Sequence, residues 1–140
     1  MVQEAYFTPQ EGLRGDRWGS RPHKTANRQV SVIRTDIMNL LAGEADPCLS
    51  GDNLHVQLDL STANLPQGSR LKIGTALFEL TSETLAPCEQ FERRFGQESF
   101  SIAKDPELAD IRPRGLFLKV LEEGRIEVGD PIKVIRNSTD

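Results

Sequence analysis

The stretch RLKIGTALFELT (residues 70–81) decides the reading of the fold. It holds two short strand-like runs broken by Gly74, where a missing side chain suits a bulge or tight bend. The same grammar recurs on either side. QVSVIR (residues 29–34) and LHVQLDL (residues 54–60) alternate apolar and polar positions as half-buried strands do. GLFLKVLEEGRIEVGDPIKVI (residues 115–135) reads as a hairpin turning at Glu123-Gly124, then a last strand after Gly129-Asp130-Pro131. Between the strands, a helix is predicted over Thr35–Ala42, capped by Thr35 or Asp36 and stopped by Gly43. A second is predicted over Glu89–Phe95, with Phe91 and Phe95 four apart and Gly96 as the stop. Residues 97–113 are polar and read as a charged loop with one helical turn. Short strands, frequent glycine turns and a few small helices predict a mainly-β, barrel-like fold over a layered parallel sheet.

With 140 residues the chain is read as one domain, 1–140, in which residues 1–11 form a short lead-in. Hydrophobic residues make up 37% and charged residues 27%, which suits a soluble globular protein. Seventeen Lys and Arg against 21 Asp and Glu give a net charge of -4, so a general nucleic-acid binder is excluded. No apolar run reaches membrane-spanning length, and MVQEAYFTPQEG lacks the apolar core of a secretion signal. The expected location is therefore cytoplasmic. In a reducing compartment the two cysteines, Cys48 and Cys88, are not expected to pair. With only His23 and His55 besides, they do not form a structural zinc pattern. Phosphate-loop, GxSxG, HExxH and dinucleotide-fold signatures are all missing.

Cys88 follows Pro87 and precedes the predicted second helix. A cysteine after a strand commonly packs as a small buried hydrophobe. Here Pro87 fixes the chain, and free N–H groups at a helix start would favour thiolate, while Glu89 and Glu92 oppose it. The residues by themselves leave both readings open. If Cys88 is reactive, it should be at least partly exposed and alkylate as a thiolate near neutral pH. Cys48, flanked by Asp46 and Asp52, should behave as an ordinary thiol. Arg17, Arg21, Lys24, Arg28 and Arg34, with His23, form a basic island free of Asp and Glu in an acidic chain. It suits either a phosphate-bearing ligand facing Cys88 or a solvated loop. Arg112 and Arg114 form a smaller cluster open to the same two readings, and His55 reads as a strand residue.

GLRGDRWG near the start, SGDNLHVQLDLSTANLPQGSRLKIGTALFELT, then APC, and finally RGLFLKVLEEGRIEVGDPIKVI resemble, in that order, the MOSC domain. This is the domain named for the C-terminal part of molybdenum-cofactor sulfurases. The resemblance implies a β-barrel-like fold that binds a molybdopterin-type cofactor or carries sulfur on a cysteine, here Cys88. In members that reduce N-hydroxylated compounds that thiolate ligates molybdenum, and in sulfur-transfer members it holds a persulfide. A soft sulfur donor suits both roles. The resemblance makes Gly15-Asp16-Arg17, Gly51-Asp52-Asn53 and Gly129-Asp130 structural turns, with Arg17 and Asn53 as ligand contacts. Arg21, Lys24, Arg28 and Arg114 are the further expected cofactor contacts. It departs from the family at Trp18, where His is common, and at Glu83–Ala86, where a basic residue often precedes Pro-Cys. The strand that usually precedes the GDR turn is expected to be nearly absent. Neither an attached sulfurase domain nor a pyridoxal phosphate site is expected, so a cofactor- or sulfur-donor protein is the implied partner.

Overall fold

Numbered in chain order, the strands are β1 (Glu4–Thr8), β2 (Gly12–Leu13), β3 (Val30–Arg34), β4 (Leu54–Val56), β5 (Arg70–Ile73), β6 (Ala76–Thr84), β7 (Leu116–Glu122), β8 (Gly124–Glu127) and β9 (Ile132–Ile135). The helices are α1 (Thr35–Ala42), α2 (Glu89–Phe95) and α3 (Gln97–Lys104), with single 3-10 turns between. The structure, a computed structural model, describes residues 3–16, 19 and 25–136. The expected strand-dominated chain with a few short helices is what it shows. Two compact units arise, each from segments distant in sequence: residues 1–30, 66–83 and 117–140, and residues 31–65 and 84–116.

The first unit is built around the opening stretch. β5 and β6 form an antiparallel hairpin pairing Leu71 with Phe78 and Ile73 with Ala76, so Gly74 and Thr75 alone make the turn. Gly74 has φ +55°, and an added Cβ would lie 2.2 Å from the Arg125 carbonyl oxygen, so only glycine fits there. Alternation places Leu71, Ile73, Ala76, Phe78 and Leu80 inside with Leu118 and Val120 of β7. Phe7 meets Phe78 edge-on, centroids 5.2 Å apart. Gln29 is buried among them. Its Oε1 accepts from the Val120 N–H at 2.6 Å and its Nε2 donates to the Pro9 carbonyl at 2.7 Å, so both ends of the amide are satisfied.

Two expectations for this unit are corrected. The strand thought nearly absent exists as β1, and the lead-in is thereby part of a sheet ordered β2-β1-β8. The expected hairpin at Glu123-Gly124 does not form, because β8 pairs with β1 (Ala5 with Ile126, Phe7 with Gly124) while β7 neighbours β6. The physical reason sits at Gly124, where a Cβ would lie 2.3 Å from the Thr75 carbonyl carbon. The chain passes against another backbone there and crosses between sheets instead of turning back.

The second unit contains β3, α1 and β4. β3 and β4 pair in parallel, Ile33 opposite His55, which needs the intervening helix as a crossover. α1 and α2 have the predicted bounds. α1, however, has Arg34 at its N-cap with no side-chain cap, and Asp36 lies within the first turn, bound to Arg34 Nε at 2.7 Å. Gly43, φ +59°, ends it as expected. The core gathers Ile33, Met38, Leu41, Phe91 and Ala103, with Ile37, Phe95 and Phe100 against it.

The expected loop over 97–113 is also corrected: it is α3 followed by a 3-10 turn, Pro106–Ile111. Only Phe100 and Ala103, three apart, turn inward, and so narrow an apolar face is hard to see among charges. Lys104 lies over the Phe100 ring at 5.3 Å, and the Ser99 hydroxyl donates to the Leu41 carbonyl. The Lys104 contact is local to α3, but the Ser99 bond and the packing of Phe100 and Ala103 against the core are tertiary, and they make a helix of a stretch with weak periodicity.

Candidate functional site

Cys88 is the N-cap residue of α2, in extended conformation (φ -110°, ψ 177°), and it is exposed. Its backbone carbonyl accepts from the Glu92 N–H at 3.2 Å, but its side chain makes no cap bond. The sulfur is therefore free for chemistry as far as the helix is concerned. The buried-hydrophobe reading of this residue does not hold in this fold. The two carboxylates thought to oppose a thiolate are not equivalent, because Glu89 is paired with Arg93 at 3.4 Å one turn along the same helix.

Behind Cys88, Phe91 in the first turn of α2 is buried at 3% exposure. The guanidinium of Arg114 lies over its ring, 5.2 Å from the centroid. Arg114 is itself buried. Its Nη1 donates to Asp52 Oδ1 at 2.9 Å and Oδ2 at 2.7 Å, and its Nη2 to the Ser50 carbonyl at 3.2 Å. The Asp52 side chain is 1% exposed. The Arg114 Nε is buried without a hydrogen-bond partner. Arg112 also turns inward, in the left-handed region at φ +50°, donating Nη1 to the carbonyls of Leu60 at 3.0 Å and Leu65 at 2.8 Å. Burial pushes its guanidinium pKa down, with Asp110 acting against that. The small arginine cluster read as either anion site or solvated surface is thus turned to protein partners.

The Gly-Asp-Asn turn organises this region. Gly51 closes the 3-10 turn Pro47–Ser50 in the left-handed conformation, Asp52 meets Arg114, and Asn53 Oδ1 accepts from the Ser31 N–H at 2.9 Å. Ser31 Oγ in return accepts from the Asn53 N–H at 3.0 Å. Cys48 lies in the same 3-10 turn and is exposed, its N–H donating to Asp46 Oδ1 at 2.9 Å. The other two glycine-acid turns are less alike. Asp130 Oδ2 accepts from the Glu127 N–H at 2.8 Å, a structural part, while Asp16 contributes its N–H to the Leu13 carbonyl at 3.0 Å.

Arg17, Arg21, Lys24, His23 and Trp18 lie outside the described residues. Arg28 belongs to the first unit, where it pairs with Glu83 at 3.2 Å, so one acid of the ETLA departure meets one base of the island. His55 sits on β4, partly buried. Sequence reasoning missed the partnership of Asp52 with Arg114 and the role of Phe91 beneath it. Sixty-two residues separate the two charges, and no local pattern signals such a pair.

Among the described residues no group of three or more His, Cys, Asp or Glu could hold a metal ion. One exposed sulfur fits a metal that arrives with its other ligands in an organic cofactor, not one held by protein side chains alone. No described helix is long and apolar enough to cross a membrane.

No curated protein sequence matches the chain. Among solved structures, the YuaD protein from Bacillus subtilis is similar, with a TM-score of 0.65 and 21% identity over 98% of this chain and 87% of that one. YiiM from Escherichia coli is similar at a TM-score of 0.65 and 20% identity, over 99% of this chain and 66% of that one. YiiM from Geobacillus stearothermophilus gives 0.64 and 16%, over 97% and 62%. The chain thus spans less than two thirds of either YiiM structure, and at these identities the likeness carries the fold alone. The MOSC domain profile matches residues 19–133. That match covers most of the chain and takes in both halves of the Cys88 region, so the chain belongs to the MOSC domain family.

Proposed function

We propose that this protein binds a molybdenum-pterin cofactor with Cys88 as the sulfur ligand to the metal. The observation that carries the reading is the exposed Cys88 at the start of α2, its side chain uncommitted to the helix. When bound, the cofactor would supply metal redox chemistry, and reduction of N-hydroxylated compounds is the reaction class we assign. The acid-free run of Arg17, Arg21, Lys24 and Arg28 supports a role in holding the phosphate-bearing end. A cytoplasmic location and a donor protein for the cofactor go with this reading.

A second reading uses the same atom. An exposed thiolate can also take the outer sulfur of a donor protein's persulfide, releasing the donor cysteine as thiolate, and this favours a carrier that holds a persulfide on Cys88. Expression in a host that makes molybdenum cofactor, followed by metal analysis and intact mass, separates the two. Near-stoichiometric molybdenum lost in Cys88→Ala and kept in Cys48→Ala supports the cofactor reading. A persulfide mass on Cys88 without molybdenum supports the carrier. Neither, with Cys88→Ala unchanged, overturns both and leaves an interaction module.

A further inference from the structure

We infer that Arg114 is a positioning residue for Cys88, acting through the first turn of α2. The inference rests on Cys88 being the working sulfur. Cys88 makes no side-chain cap bond, and its carbonyl is tied to the helix through the Glu92 N–H. Where its sulfur points therefore depends on how the first turn is seated. Phe91, in that turn, is buried under the guanidinium of Arg114. The guanidinium is immobilised in its turn by the Asp52 carboxylate and the Ser50 carbonyl.

The backbone that carries Arg114 is equally constrained. Gly115 next to it has φ +100°, and a Cβ there would lie 2.0 Å from the Val32 carbonyl oxygen. The Gly115 N–H donates to the Arg112 carbonyl at 2.9 Å, and Arg112 is itself held by two carbonyls. A contiguous set of contacts thus runs from β3 through Ser31, Asn53, Asp52 and Arg114 to Phe91. It gives the Gly-Asp-Asn turn a task beyond turning the chain: it fixes the plane on which the Cys88 helix sits. Arg suits this because a flat guanidinium lies over the Phe91 ring while its two terminal nitrogens reach Asp52 and Ser50, which a lysine ammonium cannot do.

The test is peptide-resolved iodoacetamide labelling of the full chain at a single pH, with Cys48 as the internal control. Phe91→Leu leaves the Asp52 and Ser50 bonds in place but removes the ring face. It is expected to change the Cys88 rate by about threefold or more, with Cys48 changing less, the scale of coupling between contacting residues. Arg114→Lys keeps a charge opposite Asp52, so folding is retained, and it is expected to change the Cys88 rate similarly. In the Arg114→Lys background, Phe91→Leu should add little further. An unmoved Cys88 rate in both variants, additive effects, or Cys48 and Cys88 rates moving in step would overturn the inference. Labelling needs no cofactor, so its failure is distinct from that of the functional reading, which falls when Cys88→Ala keeps molybdenum.

Discussion

Removing the Asp52 carboxylate should cost more than any surface charge in this protein. In Asp52→Ala the Arg114 guanidinium, at 9% exposure, keeps only the Ser50 carbonyl as a hydrogen-bond partner, since its Nε already has none. Breaking a buried pair from one side typically costs about 3–5 kcal/mol, because an uncompensated charge stays behind. Here a single nitrogen, Nη1, meets both Asp52 oxygens instead of a two-nitrogen fork. That geometry places the expected loss at the lower end, about 3 kcal/mol. With an unfolding entropy of ~2.1 cal/mol/K per residue over 140 residues, the melting temperature should fall by about 10 °C. Asp52→Leu combined with Arg114→Met, which removes both charges and keeps apolar volume, should recover most of that loss. Urea titrations of the wild type, Asp52→Ala and the double variant measure it. A loss below about 1 kcal/mol in Asp52→Ala, the size of an exposed ion pair, would refute the reasoning.

Gln29→Leu should destabilise the first unit by about 1–3 kcal/mol for each abandoned group, the Val120 N–H and the Pro9 carbonyl, while Gln29→Glu should keep only the acceptor side; urea midpoints read both. Gly115→Ala forces a Cβ to within 2.0 Å of the Val32 carbonyl oxygen at a positive φ, so it should sharply lower the soluble yield, whereas Gly129→Ala meets nothing within 4 Å and should show only the strain of its φ. Normal expression and stability of Gly115→Ala would contradict the packing. The Asp59 carboxyl is held below its ordinary pKa, first by the Ser61 N–H and then by the Ser61 hydroxyl, with Arg34 adding a smaller pull. A lowered folded pKa stabilises above the unfolded value of 3.8 and the contribution is lost as pH falls through the folded one. Asp59→Asn should therefore narrow its stability deficit relative to wild type below pH 3.8, as acid titration by circular dichroism would show, and a deficit constant with pH would rule this out.

The bounds of α1 and α2 and the β5–β6 turn were legible because each is a local event. Phe91 and Phe95 at helical spacing before Gly96, and one glycine between two apolar runs, carry their geometry within a few residues. The MOSC motifs were legible for the same reason, as short ordered words along the chain. Strand partnership was not. β8 looks as ready to pair with β7 as with β1, and the choice depends on Gly124 passing against the Thr75 backbone, far away in sequence. The helix α3 was hidden likewise, because its two inward residues count as an apolar face only once α1 and α2 are packed beside it. The sequence by itself singled out Cys88 but left it between a reactive sulfur and a buried one. Tertiary structure decided that it is exposed, and it assigned Arg114 to Asp52 and Phe91, since burial and charge pairing are properties of neighbours that the linear order does not contain.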